Sequence, residues 1–177
     1  MSAPLAGFLA RRRVSLGFVF AVAVLYFSRP TWTSIAAGAA IGATGETIRV
    51  WAAGHLEKSR EVTSSGPYRF TRHPLYLGSS IMGLGVAIAS RSLVVSLLVI
   101  VYMGATIAAA IRTEEAFLRR QFGDAYDAYA ASRGSLVARR FSVARAWRNS
   151  EYRAVAGFGM FVLLLIGRMW LRRRGVI

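Results

Sequence analysis

Five apolar blocks, each fenced by arginine, limit what this chain can fold into more than any other feature. They cover residues 14–28, 30–48, 74–90, 92–111 and 154–167. Two of them, 30–48 and 92–111, reach the roughly 20 residues that cross a bilayer core as a helix. The others are shorter, but Arg, Trp and Tyr at their ends snorkel or anchor among headgroups and lengthen the effective span. The pattern predicts an all-α fold: a polytopic membrane bundle of about five transmembrane helices with a cytoplasmic amphipathic helical segment. A single domain, 1–177, accounts for the whole chain.

Composition supports this. The chain is 55% hydrophobic with a mean hydropathy of +0.43, against roughly 45–50% apolar in soluble domains. A net charge of +15 would point to nucleic acid in a soluble protein. Here the arginines border apolar blocks, where they mark the cytoplasmic side and attract anionic headgroups. Aromatics are not interleaved with them for base stacking, so no nucleic-acid partner is expected. The absence of Cys excludes disulfides and thiolate chemistry, and two His with eight acids lead us to expect no metal centre. Lys58 is the sole lysine beside 22 arginines, a bias of GC-rich genomes, which points to a bacterial inner membrane.

Arg11-Arg12-Arg13 and the apolar run after it resemble a signal peptide. No small-x-small cleavage site follows, so the run reads as a first membrane helix with its N-terminus in the cytoplasm. Pro30 ends it, and a second helix, rich in Ala and Gly for close packing, starts near Thr31. Glu46 and Arg49 near its end share a face and can pair, or form the polar floor of a cavity. His55 falls at a helix end, where a partly charged imidazole is favourable. Gly66-Pro67 marks a turn and Pro74 suits the first position of a third helix, with His73 at its cap. That helix runs to about Ser90, and only Arg91 and neighbouring serines separate it from a fourth, 92–111. The amphipathic stretch beyond it, with Gly123-Asp124 ending one helix and capping the next, is expected to leave the membrane. Residues 133–153 read as an Arg-rich arm at the headgroup plane. The last block either spans, putting Arg172-Arg173-Arg174 outside, or lies in the interface; spanning or deep insertion is the favoured reading.

The hairpin of the third and fourth blocks returns two polar clusters to one membrane face. One is Arg69, Arg72, His73 and Tyr76; the other is Arg112, Glu114 and Glu115. An acidic pair suits an ammonium and an Arg cluster suits a carboxylate or phosphate, so a zwitterionic amino-acid moiety would satisfy both. Gly83 and Gly85 thin one wall, for a flat ring or for a neighbouring helix. The plainer alternative is that Glu114 and Glu115 are solvated charges that pair with Arg112 and Arg119.

Arg72-His73-Pro74-x-Tyr76-x-Gly78, followed by Glu114-Glu115-x-x-Leu118-x-x-x-Phe122-Gly123-x-x-Tyr126-x-x-Tyr129, resembles the isoprenylcysteine carboxyl methyltransferases and the related phospholipid methyltransferases. Ile48-Arg49-Val50-Trp51-Ala52 and Gly66-Pro67-Tyr68-Arg69 are similar to that family too. The likeness covers about 45–129 and leaves the C-terminal apolar helix, 154–171, outside it. The resemblance implies an integral membrane enzyme that binds S-adenosylmethionine, releases S-adenosylhomocysteine, and takes its acceptor sideways from the bilayer. By resemblance, Arg72, His73, Tyr76, Gly83, Gly85, Glu114 and Glu115 hold the cofactor. Arg112, Glu115 and Arg49 are the candidate catalytic residues. A carboxylate acceptor of isoprenylcysteine type needs only a cation to orient it, and arginines are plentiful. An amine headgroup would need a base. The membrane sterol reductases, which use NADPH, place Asn where Arg72-His73 stands. A non-enzymatic scaffold would bind no cofactor. Ser132-Arg133-Gly134-Ser135 replaces prolines common in the family, in the region expected to recognise the acceptor.

Overall fold

The computed structural model describes residues 19–134 and 137–175, and among them the chain is helical with no strand. Helical residues 19–27 form α1, followed by α2 (Trp32–Ala53), a single 3-10 turn (Gly66–Arg69), α3 (Pro74–Ser90), α4 (Leu93–Phe122), α5 (Asp124–Ala130), α6 (Val143–Arg148) and α7 (Tyr152–Arg173). The Arg11–Arg13 triplet, the first turns of the first block, and Ser135 lie outside the described residues.

Local chemistry sets the boundaries. Thr31 and Ser34 cap α2 reciprocally, each side chain accepting from the other's backbone N–H, so two amides without helical partners are satisfied. Pro74 opens α3, where its missing N–H costs nothing. Arg91 turns the chain in the left-handed region (φ 49°) and Ser92 caps α4 by accepting from the Val95 N–H. The fourth helix does not stop at residue 111. It is 30 residues long and runs on to Phe122, because Arg112 to Gln121 are mostly good helix formers with no Gly or Pro among them. Gly123, at φ 48°, ends it and starts α5, which folds back instead of running away along a surface.

Glycines set the main helix crossing. A Cβ on Gly38 or Gly45 of α2 would strike the backbone of Gly85 or Gly78 of α3, and the converse holds for Gly78 and Gly85. Backbones meet where side chains would normally keep them apart, the usual packing solution inside a bilayer. On the far side of α3, Gly83 lies against Val99 and Met103 of α4. Phe20 of α1 stacks on Tyr102 of α4, with ring centroids 4.4 Å apart, and Val24 packs on Val95 and Val99.

The helices run between two ends. α2 starts beside the close of α3, where the Arg29 N–H donates to Ser90 O and the Ser34 hydroxyl to Ala89 O. α7 begins at Glu151, paired with Arg49 near the end of α2, and reaches Arg168, which donates to Ser28 O and Tyr26 O at the close of α1. It therefore runs the full height of the bundle and is not a shallow interfacial segment. Arg172 and Arg173 stand at the end away from His73 and Glu115. Among the described residues two helices, α4 and α7, are long and apolar enough to cross a membrane. Leu97, Ile100 and Val101 on α4, and Leu163, Leu164 and Trp170 on α7, are exposed, a lipid-facing surface. α3 is apolar but has only 17 residues, and α2 falls outside that class. A count of five spanning helices thus goes beyond these two.

Candidate active site

The site forms where the start of α3 meets the extension of α4. Placing His73 at the cap of α3 and Tyr76 in its first turn aims both rings toward α4; the rings lie 5.8 Å apart. The hairpin returns Glu115 to them. Its Oε1 lies 3.1 Å from His73 Nε2 and 3.3 Å from Arg72 Nη1, and its Oε2 lies 3.5 Å from Arg119 Nη1. Glu115 thus lies between two arginines and the His73 imidazole. Glu114, next along the helix and about 100° around it, faces the Tyr76 hydroxyl. Among the described residues no Arg, Lys or His stands within ion-pair distance of it.

Two further groups complete this end. Tyr68, from the 3-10 turn, is buried, and burial together with the nearby Glu114 carboxylate pushes its phenol above the ordinary tyrosine range. α5 closes over the turn: the Tyr129 hydroxyl donates to Tyr68 O at 2.8 Å, and Arg119 lies over the Tyr126 ring while pairing with Asp127. Burial pushes the Tyr129 phenol up to about 12. These tyrosines are donors, not bases. His73 Nδ1 is buried with no partner of its own, an atom available to a bound molecule.

Other expected residues are employed differently. Arg49 does not pair with Glu46. Its Nε donates to Glu151 Oε1 at 2.7 Å and its Nη1 to the Ser79 hydroxyl, so it ties α2 to α3 and α7. The spacing of three along α2 permitted the local pair, but α7 brings in a competing carboxylate from 102 residues away. Both oxygens of the buried Glu46 are left without a partner. Gly83 and Gly85 are both filled by neighbouring helices, α4 and α2, which is the packing use of the two open to them. Arg69 and Arg112 are exposed and make no ion pair among the described residues.

His55 departs from its expected partly charged state. It is buried, with Nδ1 3.1 Å from the Ser65 hydroxyl, between Trp51 and Phe141. Burial, then Arg145 and Arg139, lower its pKa and outweigh the favourable helix end. The Arg-rich arm packs on this loop. Arg145 pairs with Glu57 at 2.7 Å, Arg139 pairs with Glu61 at 2.6 Å, and Asn149 donates to Ala53 O and Leu56 O. These arginines are structural ties rather than free headgroup contacts. Tyr68, Tyr129 and Glu151 were not anticipated. Tyr68 was visible within Gly-Pro-Tyr-Arg, and Glu151 as a lone acid in an arginine-rich arm.

Comparison with known proteins bears on this geometry. The profile of a family described as phospholipid methyltransferase matches residues 18–125. A nickel-cobalt-cadmium resistance protein of Alcaligenes xylosoxydans is 31% identical over 140 residues, 72% of this chain and 65% of that protein. A cobalt-zinc-cadmium resistance protein of Cupriavidus metallidurans is 31% identical over 134 residues, 69% of this chain and 62% of that protein. Protein-S-isoprenylcysteine O-methyltransferase of Schizosaccharomyces pombe is 32% identical over 85 residues, 48% of this chain and 36% of that enzyme. The chain thus spans just under two thirds of the resistance proteins and about a third of the yeast enzyme. No solved structure matches it.

Proposed function

Because the chain belongs to the phospholipid methyltransferase family, we propose that it is a membrane methyltransferase that uses S-adenosylmethionine and methylates the carboxylate of a lipophilic, isoprenylcysteine-like acceptor. In this reading α1 to α4 and α7 cross the inner membrane of a bacterium as five helices, with the His73–Glu115 end in the cytoplasm. Among the described residues no group of three His, Cys, Asp or Glu side chains could hold a metal ion.

The unequal state of the two glutamates carries the proposal. Glu115 pairs with Arg72 and Arg119 and is hydrogen-bonded by His73, so it orders the site. Glu114, facing only phenol groups, is the carboxylate free to take an ammonium. Arg72 has room for a carboxylate beside its Glu115 contact, being 45% exposed. His73 Nδ1 is the buried atom left for a further polar group. The donors therefore fit an amino-acid moiety, with Tyr68 and Tyr76 offering aromatic surface beside it. When bound, the cofactor supplies an electrophilic methyl on a sulfonium. The protein's task is positioning and the exclusion of water.

The same accounting favours a carboxylate over an amine. An amine must lose a proton, and Glu115 is already ion-paired while Glu114 is assigned to the cofactor. A carboxylate needs only a cation, and this reading assigns that role to Arg112, three residues before Glu115 and free of ion pairs among the described residues.

The test is thermal melting of the purified protein with S-adenosylhomocysteine. Ligand at a hundredfold excess over its Kd stabilises by about 2.7 kcal/mol. Wild type should shift, Glu114→Gln should require at least tenfold more ligand, and Arg112→Ala should bind normally while losing turnover. No shift in the wild type at saturating ligand would sink the methyltransferase reading.

A further inference from the structure

One arginine near the end of α2 stands between two buried acids. Arg49 Nε donates to Glu151 Oε1 at 2.7 Å, and its Nη1 donates to the Ser79 hydroxyl and, at 3.5 Å, to Leu75 O. Leu75 and Ser79 belong to the first turns of α3, on either side of Tyr76. Glu46, three residues before Arg49, is 7% exposed, and neither of its oxygens has a hydrogen-bond partner. It falls in the seam between α2 and α7. Gly42, one turn earlier, is filled by the Phe158 ring, and Arg49, one turn later, meets Glu151. Arg49 and Glu151 both lie within electrostatic range of Glu46. A buried carboxyl group without a partner is costly, and a spacing of three on a helix lets Glu46 reach the guanidinium that Glu151 holds.

We propose that Glu151 is a positioning residue for the candidate site, acting through Arg49, and that Glu46 is the stand-by carboxylate that takes Arg49 when Glu151 lets go. With Glu151 in contact, the guanidinium is held toward α7 and its Nη1 pins the first turns of α3. Those turns carry Tyr76 and follow directly on His73. With Glu46 as partner, the guanidinium folds back along its own helix and α3 loses the pin at Ser79. Glu46 also keeps a counter-charge beside Arg49 when α7 parts from α2, so the seam opens without stranding a buried cation. Glu151 lies beyond the residues that the family profile matches, so likeness to the family does not supply this tether. For its effect on the cofactor the inference rests on the methyltransferase reading. For the sharing of Arg49 it rests on the seam alone.

A double-mutant cycle on the full chain in detergent tests this. Its readouts are the unfolding midpoint, amide exchange in residues 75–79, and affinity for S-adenosylhomocysteine. Glu151→Gln should hand Arg49 to Glu46. The midpoint should then fall only modestly, while exchange at 75–79 quickens and affinity weakens, each about tenfold, within the range usual for coupling between sites. Glu46→Gln should leave affinity unchanged and the midpoint equal or higher. In Glu46→Gln/Glu151→Gln no carboxylate is left to draw Arg49 off α3. Affinity and exchange should return toward wild type, while the midpoint drops by more than the sum of the single changes, because a buried cation is left unpaired. Recovered binding in the least stable variant is a signature that a purely structural role lacks. Should the double variant fail to fold, Ser79→Ala supplies the second reading. With the pin removed, adding Glu151→Gln should neither quicken exchange nor weaken binding further. Unchanged exchange at 75–79 in Glu151→Gln, additive midpoints in the cycle, or additive losses with Ser79→Ala would overturn the proposal. If S-adenosylhomocysteine does not bind the wild type, the methyltransferase reading falls, and the exchange and midpoint arms still decide whether Arg49 is shared.

Discussion

At the scale of single residues, the bundle depends on the absence of side chains. Gly38, Gly45, Gly78 and Gly85 sit where any Cβ would overlap the backbone of the facing helix, and backbone cannot swing aside as a flexible side chain can. Gly85→Leu should therefore destabilise by at least the 1–3 kcal/mol typical of overpacking, read as a lower unfolding midpoint in detergent. Gly157→Ala, where a Cβ meets nothing within 4 Å, should change that midpoint little. The periodic glycines were legible as packing residues. Which glycine meets which helix was not, because Gly83 and Gly85 differ by about 200° around α3 and only the fold says what lies on each side.

At the scale of elements, the start of α3 and the break at Gly123 were readable from local backbone requirements, but the joining of 92–111 with the amphipathic stretch after it into one helix was not. The return of α5 over the 3-10 turn was not, because the hydrogen bond that secures it joins Tyr129 to Tyr68, 61 residues apart. Tyr129→Phe removes that bond at a cost of about 1 kcal/mol. Amide exchange in residues 124–130 should quicken while exchange within α2 stays unchanged.

At the scale of the whole molecule, the arm from 137 to 151 locks the 54–65 loop to the bundle through Arg139, Arg145, Asn149 and the Arg49–Glu151 pair. His55 is buried within this lock, facing Arg145 and Arg139. Its folded pKa lies below the ordinary histidine value of 6.5, so acid favours the unfolded chain, which binds the proton more readily. The stability His55 contributes is complete above about pH 6.5 and is lost as pH falls through that lowered value. The unfolding midpoint should drop between pH 7.5 and 5.5, and His55→Gln should flatten that slope. A midpoint independent of pH over this range in the wild type would refute the assignment.

The sequence by itself determined the helical class, the membrane character, most helix boundaries and the pairing of the His73 and Glu115 clusters at one end. Each of these follows from hydrophobic runs, from backbone requirements at Pro and Gly, or from a single hairpin of fixed direction. Only the tertiary structure decided that Arg49 serves Glu151, that Glu115 is saturated while Glu114 is not, that Gly83 and Gly85 face separate helices, and that α7 runs the full height of the bundle. Those outcomes depend on which charges and surfaces compete for the same space. That competition involves residues far apart in the chain, and neither spacing nor composition records it.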